Sequence, residues 1–156
     1  MSIENVKQYL KKFGRDNDIL EFDVSSATVE LAARALDTLP AKIAKTLAFK
    51  SDDSCILIAT AGDAKIDNQK FKQTFGMKAK MLSPEETLAL TGHAVGGVCP
   101  FALPEGVKAF TDISLKRFNH IYPACGSSNS AIKLTCDEIF EYSNATEWVD
   151  VCKGWE

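Results

Sequence analysis

Two apolar runs separated by a short polar stretch place the strongest constraint on how this chain folds. Residues 46–49 and 55–59 are mostly apolar, and the stretch between them, residues 50–54, holds only lysine, serine and aspartate. Apolar runs of this length on both sides of a polar turn are typical of a β-hairpin. The sequence therefore predicts an antiparallel strand pair in the first half of the chain.

Helices are predicted on both sides of this hairpin. An amphipathic helix is expected at the start of the chain, where apolar residues recur at helical spacing and Gly14 follows the last of them. Four later helices are predicted to begin after the N-cap residues Thr28, Asp67, Ser83 and Thr135. The last two caps are each followed three residues later by a glutamate, which predicts capping boxes.

Short strands are predicted between these helices, at residues 20–24, 79–82, 107–110, 120–122, 131–134 and 148–151. In the first of them Leu20, Phe22 and Val24 alternate with polar residues, which predicts a half-buried strand. Strands and helices alternate without strict βαβ units, so the expected fold class is α/β with a mixed sheet. A length of 156 residues suits one domain, residues 1–156.

Composition excludes several protein classes. With 46% hydrophobic and 25% charged residues, the chain is neither disordered nor collagen-like nor a coiled coil. No apolar run approaches the roughly 20 residues that cross a bilayer, and the first residues lack a signal-peptide pattern, so a cytoplasmic protein without membrane association is expected. Five cysteines without a CxxC pair predict reduced thiols, and two histidines argue against a zinc site.

Charge is unevenly spread along the chain, although the net charge is only −3. Residues 65–80 contain five lysines against one aspartate, whereas residues 137–156 contain six acidic residues against one lysine. Such a lysine run is either a solvated helix face or a locally basic surface that attracts phosphates.

The stretch of residues 92–104 is too rich in glycine and proline for a helix or strand. Within it, Gly96 and Gly97 permit close backbone approach, so their N–H groups could face an anionic oxygen, and Pro100 would stiffen the loop. The alternative is a plain structural turn. The GxSxG, Walker A and GxGxxG patterns are absent, which disfavours nucleotide hydrolysis and dinucleotide chemistry.

Other candidate residues each have two interpretations. Lys45 interrupts an apolar sequence, where a cation can snorkel, cap helix carbonyls or face a cleft. Cys99 and His93 raise the hypothesis of a thiol nucleophile, but no acidic residue accompanies the pair. Ser128 and Asn129 could donate hydrogen bonds to a ligand or simply form a turn.

Three segments in this order carry a resemblance to a known family. They are IAKTL at residues 43–47, TGH followed by GGVCP within residues 91–100, and YPACGS leading to IKL within residues 122–134. Together they resemble the YbaK/prolyl-tRNA-synthetase-associated domain family, over about residues 22–141. Members are small cytosolic deacylases, free-standing or inserted in prolyl-tRNA synthetases, that hydrolyse the ester of a wrong amino acid on tRNA.

The resemblance implies a single α/β domain with a curved mixed sheet, flanked by helices, around a small pocket. It implies no metal and no cofactor, with a mischarged tRNA as the partner, that for proline foremost, and a transient association with prolyl-tRNA synthetase. Alanine, cysteine, serine and threonine are the candidate amino acids. Ala131, where an acidic residue is expected, and His93, where tyrosine is common, depart from the YbaK-like pattern.

The resemblance also implies site residues, because Lys45 matches the family's essential lysine and residues 96–100 match its GxxxP loop. Water is the expected nucleophile, with the loop N–H groups and the Lys45 cation stabilising the oxyanion. The expected catalytic residues are Lys45, Gly96, Gly97, Val98, Cys99 and Pro100. The expected substrate-binding residues are Thr46, Phe22, His93, Ser128 and Asn129, and the expected tRNA-binding residues are Lys65, Lys70, Lys72, Lys78 and Lys80.

Two alternatives to the deacylase remain at this point. One is a non-catalytic module that binds an aminoacyl or nucleotide group, or tRNA, in the same pocket. The other is a hydrolase that uses the Cys99 thiol, which replacement by alanine would abolish.

Overall fold

The computed structural model describes residues 2–155. Its five α-helices are α1 Ser2–Lys11, α2 Val29–Leu36, α3 Asn68–Phe75, α4 Pro84–Thr91 and α5 Cys136–Tyr142. Its strands are β1 Leu20–Glu21, β2 Ile43–Ser51, β3 Ser54–Ala61, β4 Lys65–Ile66, β5 Lys108–Asp112, β6 Tyr122–Pro123, β7 Ser130–Ala131, β8 Trp148–Val149 and β9 Cys152–Lys153. No helix within residues 2–155 is long and apolar enough to cross a membrane.

The central sheet is mixed and has five strands in the order β6-β2-β3-β5-β8. Strands β2 and β3 are antiparallel, and the other three neighbouring pairs in this sheet are parallel. Two small antiparallel pairs, β1 with β7 and β4 with β9, lie outside it. The mixed α/β fold predicted from the sequence is therefore confirmed.

The β2–β3 hairpin is longer and its turn tighter than predicted. Pairing continues to Ser51 and Ser54, so only Asp52 and Asp53 form the turn. Asp52 has a φ of 53°, in the left-handed region that two-residue hairpin turns require and that aspartate tolerates. The expected five-residue turn is wrong because the backbones of the polar residues at the end of the hairpin still pair, in a half-buried part of the ladder.

The predicted helix caps form as expected. The Thr28 hydroxyl accepts from the N–H of Leu31, and the Asp67 carboxylate accepts from two N–H groups of α3. Both capping boxes are complete, at Ser83 and at Thr135. Local hydrogen bonding thus fixes where four of the helices begin.

The two faces of the central sheet carry different side chains. One face presents Phe49, Ile58 and Phe110, on which Phe71 and Phe75 of α3 pack with ring centroids 4.8–5.0 Å apart. The other face presents mainly alanine, with Ala44, Ala48, Ala59, Ala61 and Ala109 all buried. We call these the aromatic face and the alanine face.

Several predicted strands are shorter or more exposed than expected. Strand β1 has only two residues, and Leu20 and Val24 are 43% and 61% exposed, so the predicted half-buried strand is wrong. Residues 79–82 contribute one bridge, between Met81 and Phe49. The β4–β9 pair is not predicted from the sequence, because a two-residue strand leaves no periodicity to detect.

Candidate active site

A pocket of about 230 Å³ opens beside strand β2, where that strand lacks a neighbour. Pairing with β6 ends at Ala44, and the next contact on this edge is the hydrogen bond from the N–H of Leu82 to the carbonyl of Ala48, at 3.1 Å. The edge between these two points is therefore uncovered. Helix α2, the Gly96–Val98 loop and residues 122–131 surround the opening.

Thr46 lies at the centre of this uncovered edge. Backbone groups alternate in direction along a strand, and Ala48 directs its carbonyl outward to Leu82, so the N–H and C=O of Thr46 also point outward. Neither group has a backbone partner within residues 2–155. The Thr46 hydroxyl is buried and likewise has no partner there. One residue thus offers three unused hydrogen-bonding groups beside the pocket.

Lys45 borders the same pocket from the other side of the strand. Its ammonium donates to the carbonyls of Ala64 at 2.5 Å and Gly62 at 3.4 Å, which leaves one of its three N–H donors unused. Burial lowers the pKa of Lys45, and the nearby carboxylates of Asp63 and Glu30 partly oppose that effect. The backbone carbonyls hold the ammonium at the beginning of β2.

The loop of residues 92–104, which we call the glycine loop, contributes backbone donors to the pocket. Gly96 and Val98 line it, and their N–H groups have no hydrogen-bond partner in the described part of the chain. The N–H of Gly97 is already used by the carbonyl of Ala94 at 3.0 Å, and Pro100 has no N–H. The buried Cys99 is not part of the lining. Of the five predicted loop residues, two therefore have an unused N–H beside the pocket.

Gly96 and Gly97 of the glycine loop are held tightly against neighbouring segments. Gly96 has a φ of +99°, in a region that side-chain-bearing residues rarely adopt. A Cβ on Gly97 would lie 2.7 Å from the backbone nitrogen of Ser127. The close backbone approach predicted from the sequence is present at Gly97, where it fixes the loop against residues 126–127.

His93 is fully buried outside the pocket lining. Its Nε2 lies 2.8 Å from the carbonyl of Phe101, which can only accept, so Nε2 carries the proton and Nδ1 accepts from the Ser2 hydroxyl. Burial lowers the pKa of His93. The histidine joins the beginning of α1 to the glycine loop and stays neutral.

The thiol hypothesis meets an unfavourable environment. Cys99 Sγ is 3.6 Å from His93 Nε2, so the two residues do come together. However, that nitrogen is protonated and cannot accept the thiol proton. Burial raises the pKa of Cys99 to about 12, whereas a nucleophilic cysteine needs a lowered pKa. The pair lacks the features that activate a thiol.

Three predicted substrate-binding residues do not line the pocket, namely Phe22, Ser128 and Asn129. Their hydrogen bonds instead hold neighbouring segments in place. Asn129 donates from its side chain to the carbonyl of Phe22 at 2.9 Å, and the N–H of Phe22 donates back to the carbonyl of Asn129. The carbonyl of Ser128 accepts from the N–H of Ser26, a lining residue, at 2.7 Å. This loop therefore positions the segment that leads into α2.

A family model for the aminoacyl-tRNA editing domain matches residues 24–142 of this chain. The chain belongs to the aminoacyl-tRNA editing domain family. The resemblance stated from the sequence is thereby confirmed. The editing domain is 53% identical, over the whole of both chains, to the uncharacterized protein YwhH of Bacillus subtilis.

Further relatives connect the editing domain to proline-tRNA ligases. It is 32% identical over 90 residues to the proline-tRNA ligase of Bacillus pumilus, a match that covers 57% of this chain and 16% of the ligase. Among solved structures, it is similar to a proposed trans-editing enzyme for prolyl tRNA synthetase. That match has a TM-score of 0.87, 26% identity and 98% coverage of both chains.

Sequence reasoning missed most of the editing domain's pocket lining. The missed residues are mainly small or apolar: Ser26, Ala27, Thr28, Val29, Ala32, Ile43, Ala44, Leu47, Ala48, Met81, Leu82, Thr87, Val95, Tyr122, Ala124, Ser130 and Ala131. They come from six separate segments, two of which overlap the IAKTL and YPACGS motifs, but these small or apolar side chains carry no catalytic chemistry of their own. A further usable signal is the repeated alanine in β2, which leaves one face of that strand without bulk.

None of the five predicted tRNA-binding lysines lines the pocket. Lys70 is paired with Asp150 and also donates to the carbonyl of Cys152, each at 3.1 Å. Lys65, Lys72, Lys78 and Lys80 are exposed. Their tRNA-binding role stays a prediction.

Proposed function

We propose that this protein acts in trans as an aminoacyl-tRNA deacylase, hydrolysing the ester between a wrong amino acid and its tRNA. One observation carries the proposal most strongly. The unpaired N–H groups of Gly96 and Val98 and the unpaired polar groups of Thr46 surround one small, mostly apolar pocket. Fixed donors around a mostly apolar cavity can stabilise the negative charge that develops on an ester's carbonyl oxygen.

Water is the proposed nucleophile. As it attacks the ester carbon, negative charge develops on the carbonyl oxygen, and the N–H groups of Gly96 and Val98 are the proposed donors to that oxygen. The N-terminus of α2, which begins at the pocket beside Thr28, adds a favourable dipole for the same charge. When the tetrahedral intermediate collapses, the C–O bond to the ribose breaks, and the sugar oxygen takes up the proton that the attacking water gives up.

Lys45 is the proposed electrostatic partner of the substrate. Its one unused N–H can donate to the ester or to the terminal phosphate, while the carbonyls of Gly62 and Ala64 fix its position. A cation that is already positioned costs no reorganisation when the charge develops. We therefore retain Lys45, with the loop N–H groups, as catalytic.

The pocket lining favours an amino acid with a small, uncharged side chain. Alanine is the commonest residue type in the lining, and Lys45 is its one charged residue in the part of the chain that the structure describes. At Ala131 the pocket lacks the carboxylate that the YbaK-like pattern leads one to expect. Alanine is our first candidate, followed by cysteine and then serine or threonine.

The tRNA for proline is the proposed carrier. Similarity to proline-tRNA ligases and to a proposed trans-editing enzyme for prolyl tRNA synthetase supports this choice. A transient association with prolyl-tRNA synthetase is also proposed, because it would present the mischarged tRNA to this pocket as the tRNA leaves the synthetase.

The test is deacylation of tRNA for proline charged separately with alanine, cysteine, serine and proline. Lys45→Met keeps the aliphatic stem and removes the charge. Lys50→Met, on the same strand but outside the pocket, is the matched control. We expect rapid release of one wrong amino acid, a loss of roughly a hundredfold or more in Lys45→Met, and little change in Lys50→Met.

Two other outcomes would replace the proposal. Binding of charged tRNA without release of any of the four amino acids would favour the binding module. Loss of hydrolysis in Cys99→Ala, with an unchanged melting temperature, would favour the thiol mechanism.

A further inference from the structure

A second recess, of about 380 Å³, adjoins the candidate active site and is positively charged. We call it the basic recess, and the residues that matter for its chemistry are Lys42, Arg117, Phe118, His120, Tyr122 and Lys133. No carboxylate lines it within residues 2–155. Three of these six side chains are cationic, on a protein whose net charge is −3.

The two lysines of the basic recess, Lys42 and Lys133, form no ion pair with a carboxylate in the part of the chain that the structure describes. Arg117, by contrast, is paired with Asp63 and donates to the carbonyl of Trp155, so its guanidinium already has a structural role. Two unpaired ammonium groups at one concave site favour a ligand with more than one negative charge.

An aromatic ring lies beside two of the cations of the basic recess. The Phe118 ring has Arg117 Cζ 4.8 Å and Lys42 Nζ 6.0 Å from its centroid, and it is only partly covered by the fold. Single-stranded nucleic acids bind where cations track the phosphates and an exposed ring stacks on a base. The recess combines both features.

The position of the recess connects it to the ester pocket. Tyr122 lines both cavities, and it pairs in register with Ile43, the residue that follows Lys42. An aminoacyl ester is carried by the terminal ribose of tRNA. With the ester in the pocket beside Thr46, the phosphates of the last nucleotides must lie just outside that pocket.

We propose that the basic recess binds the single-stranded 3′ end of the tRNA, with Lys42 and Lys133 contacting phosphates and Phe118 stacking on a base. The inference rests on the proposed deacylase function and names where its substrate continues beyond the ester. It assigns this contact to a surface that the lysine run of residues 65–80 does not include.

The test compares two double variants that each remove two positive charges. Lys42→Gln/Lys133→Gln alters the recess, and Lys72→Gln/Lys78→Gln alters two exposed lysines of the predicted run. Each is measured on aminoacylated tRNA, on the same amino acid esterified to adenosine, and for binding of uncharged tRNA over a range of salt concentrations. Adenosine esters lack the phosphates, so they report on the ester pocket alone.

We expect the recess variant to weaken binding of uncharged tRNA and to raise KM on aminoacylated tRNA by tenfold or more. The slope of log affinity against log salt should flatten by about 1.4, since each phosphate contact in a single strand contributes about 0.7. Hydrolysis of the adenosine ester should not change. The lysine-run variant should lose less affinity for uncharged tRNA than the recess variant does.

The proposal is overturned if the recess variant binds tRNA normally, if the lysine-run variant shows the loss instead, or if the recess variant loses adenosine ester hydrolysis equally. If the natural protein hydrolyses neither substrate, the deacylase proposal fails. Binding of uncharged tRNA then still decides whether the recess is a nucleic-acid site.

Discussion

The aromatic and alanine faces of the central sheet show how one strand packs tightly on one side and leaves a pocket on the other, with Lys45 bordering that pocket from the aromatic side. Phe49 in β2 packs into a cluster of four phenylalanines, while Ala44 and Ala48 of the same strand border the pocket. Strand alternation separates these two sets of side chains. Large side chains on one face pack the hairpin against α3, and small side chains on the other face leave room for a ligand.

The largest expected effect comes from removing bulk on the aromatic face. Phe71 is fully buried and contacts both Phe49 and Phe75, so Phe71→Ala should lower the free energy of unfolding by about 3–5 kcal/mol. Denaturant unfolding measures this. Deacylation per folded molecule should be nearly unchanged, with Phe71→Leu as a milder control. A large loss of activity in the folded fraction would mean that the two faces are not separable.

At Gly97, beside the pocket, we expect a substitution to lower stability less than Phe71→Ala does and to lower deacylation more. In Gly97→Ala the added methyl group meets the backbone of Gly126 and Ser127 at 2.7–2.9 Å, so the two loops must separate. We expect a loss of about 1–3 kcal/mol in unfolding free energy and a marked loss of deacylation. Gly106→Ala is the control, because its φ is +90° but no atom lies within 4 Å of the new Cβ.

Gly106→Ala should lose some stability through backbone strain and keep its activity. Equal activity in the two glycine variants would show that the glycine loop does not form the catalytic part of the pocket.

A pH-dependent effect is expected from His93, which joins α1 to the glycine loop. Burial holds its pKa below the usual value of about 6.5, so below that pH the unfolded chain takes up a proton that the folded protein does not. Stability should therefore fall as the pH is lowered from 7 towards 5, by at most about 1.4 kcal/mol per pH unit. Urea unfolding at several pH values measures this slope.

The chain has a second histidine that serves as the control. His120 is exposed, so His120→Gln should keep the slope, whereas His93→Gln should flatten it whatever its absolute stability. An unchanged slope in His93→Gln would assign the acid sensitivity to other groups.

The sequence predicts the aromatic side of the molecule better than the pocket side. The hairpin, the five helices and their caps follow from periodicity and from local hydrogen bonding, which residues near in sequence determine. Lys45, Thr46, Gly96 and Val98 were predicted and do line the pocket. The basic recess was missed, because Lys42, Phe118 and Lys133 lie far apart in sequence and only the tertiary fold brings them together.

The sharpest comparison within the alanine face is between its two unpartnered hydroxyl groups. Thr46 and Thr111 both pair with Ala59 and therefore lie on one row of the sheet, and both hydroxyls are buried without a partner within residues 2–155. Only Thr46 lines the pocket. A hydroxyl without a partner costs about 1–3 kcal/mol, so replacing either threonine by valine should leave stability equal or raise it by about 1 kcal/mol.

Activity should distinguish the two threonines. If the Thr46 hydroxyl is kept unpartnered for the substrate, Thr46→Val should lower kcat/KM for aminoacylated tRNA by about tenfold, the worth of one hydrogen bond of about 1.4 kcal/mol. Thr111→Val should leave kcat/KM unchanged. Parallel measurement of thermal unfolding and deacylation in both variants decides the question. A fall in activity in both, or in neither, would mean that the unpartnered hydroxyls belong to the packing of the alanine face and that substrate contact at this edge comes from the β2 backbone alone.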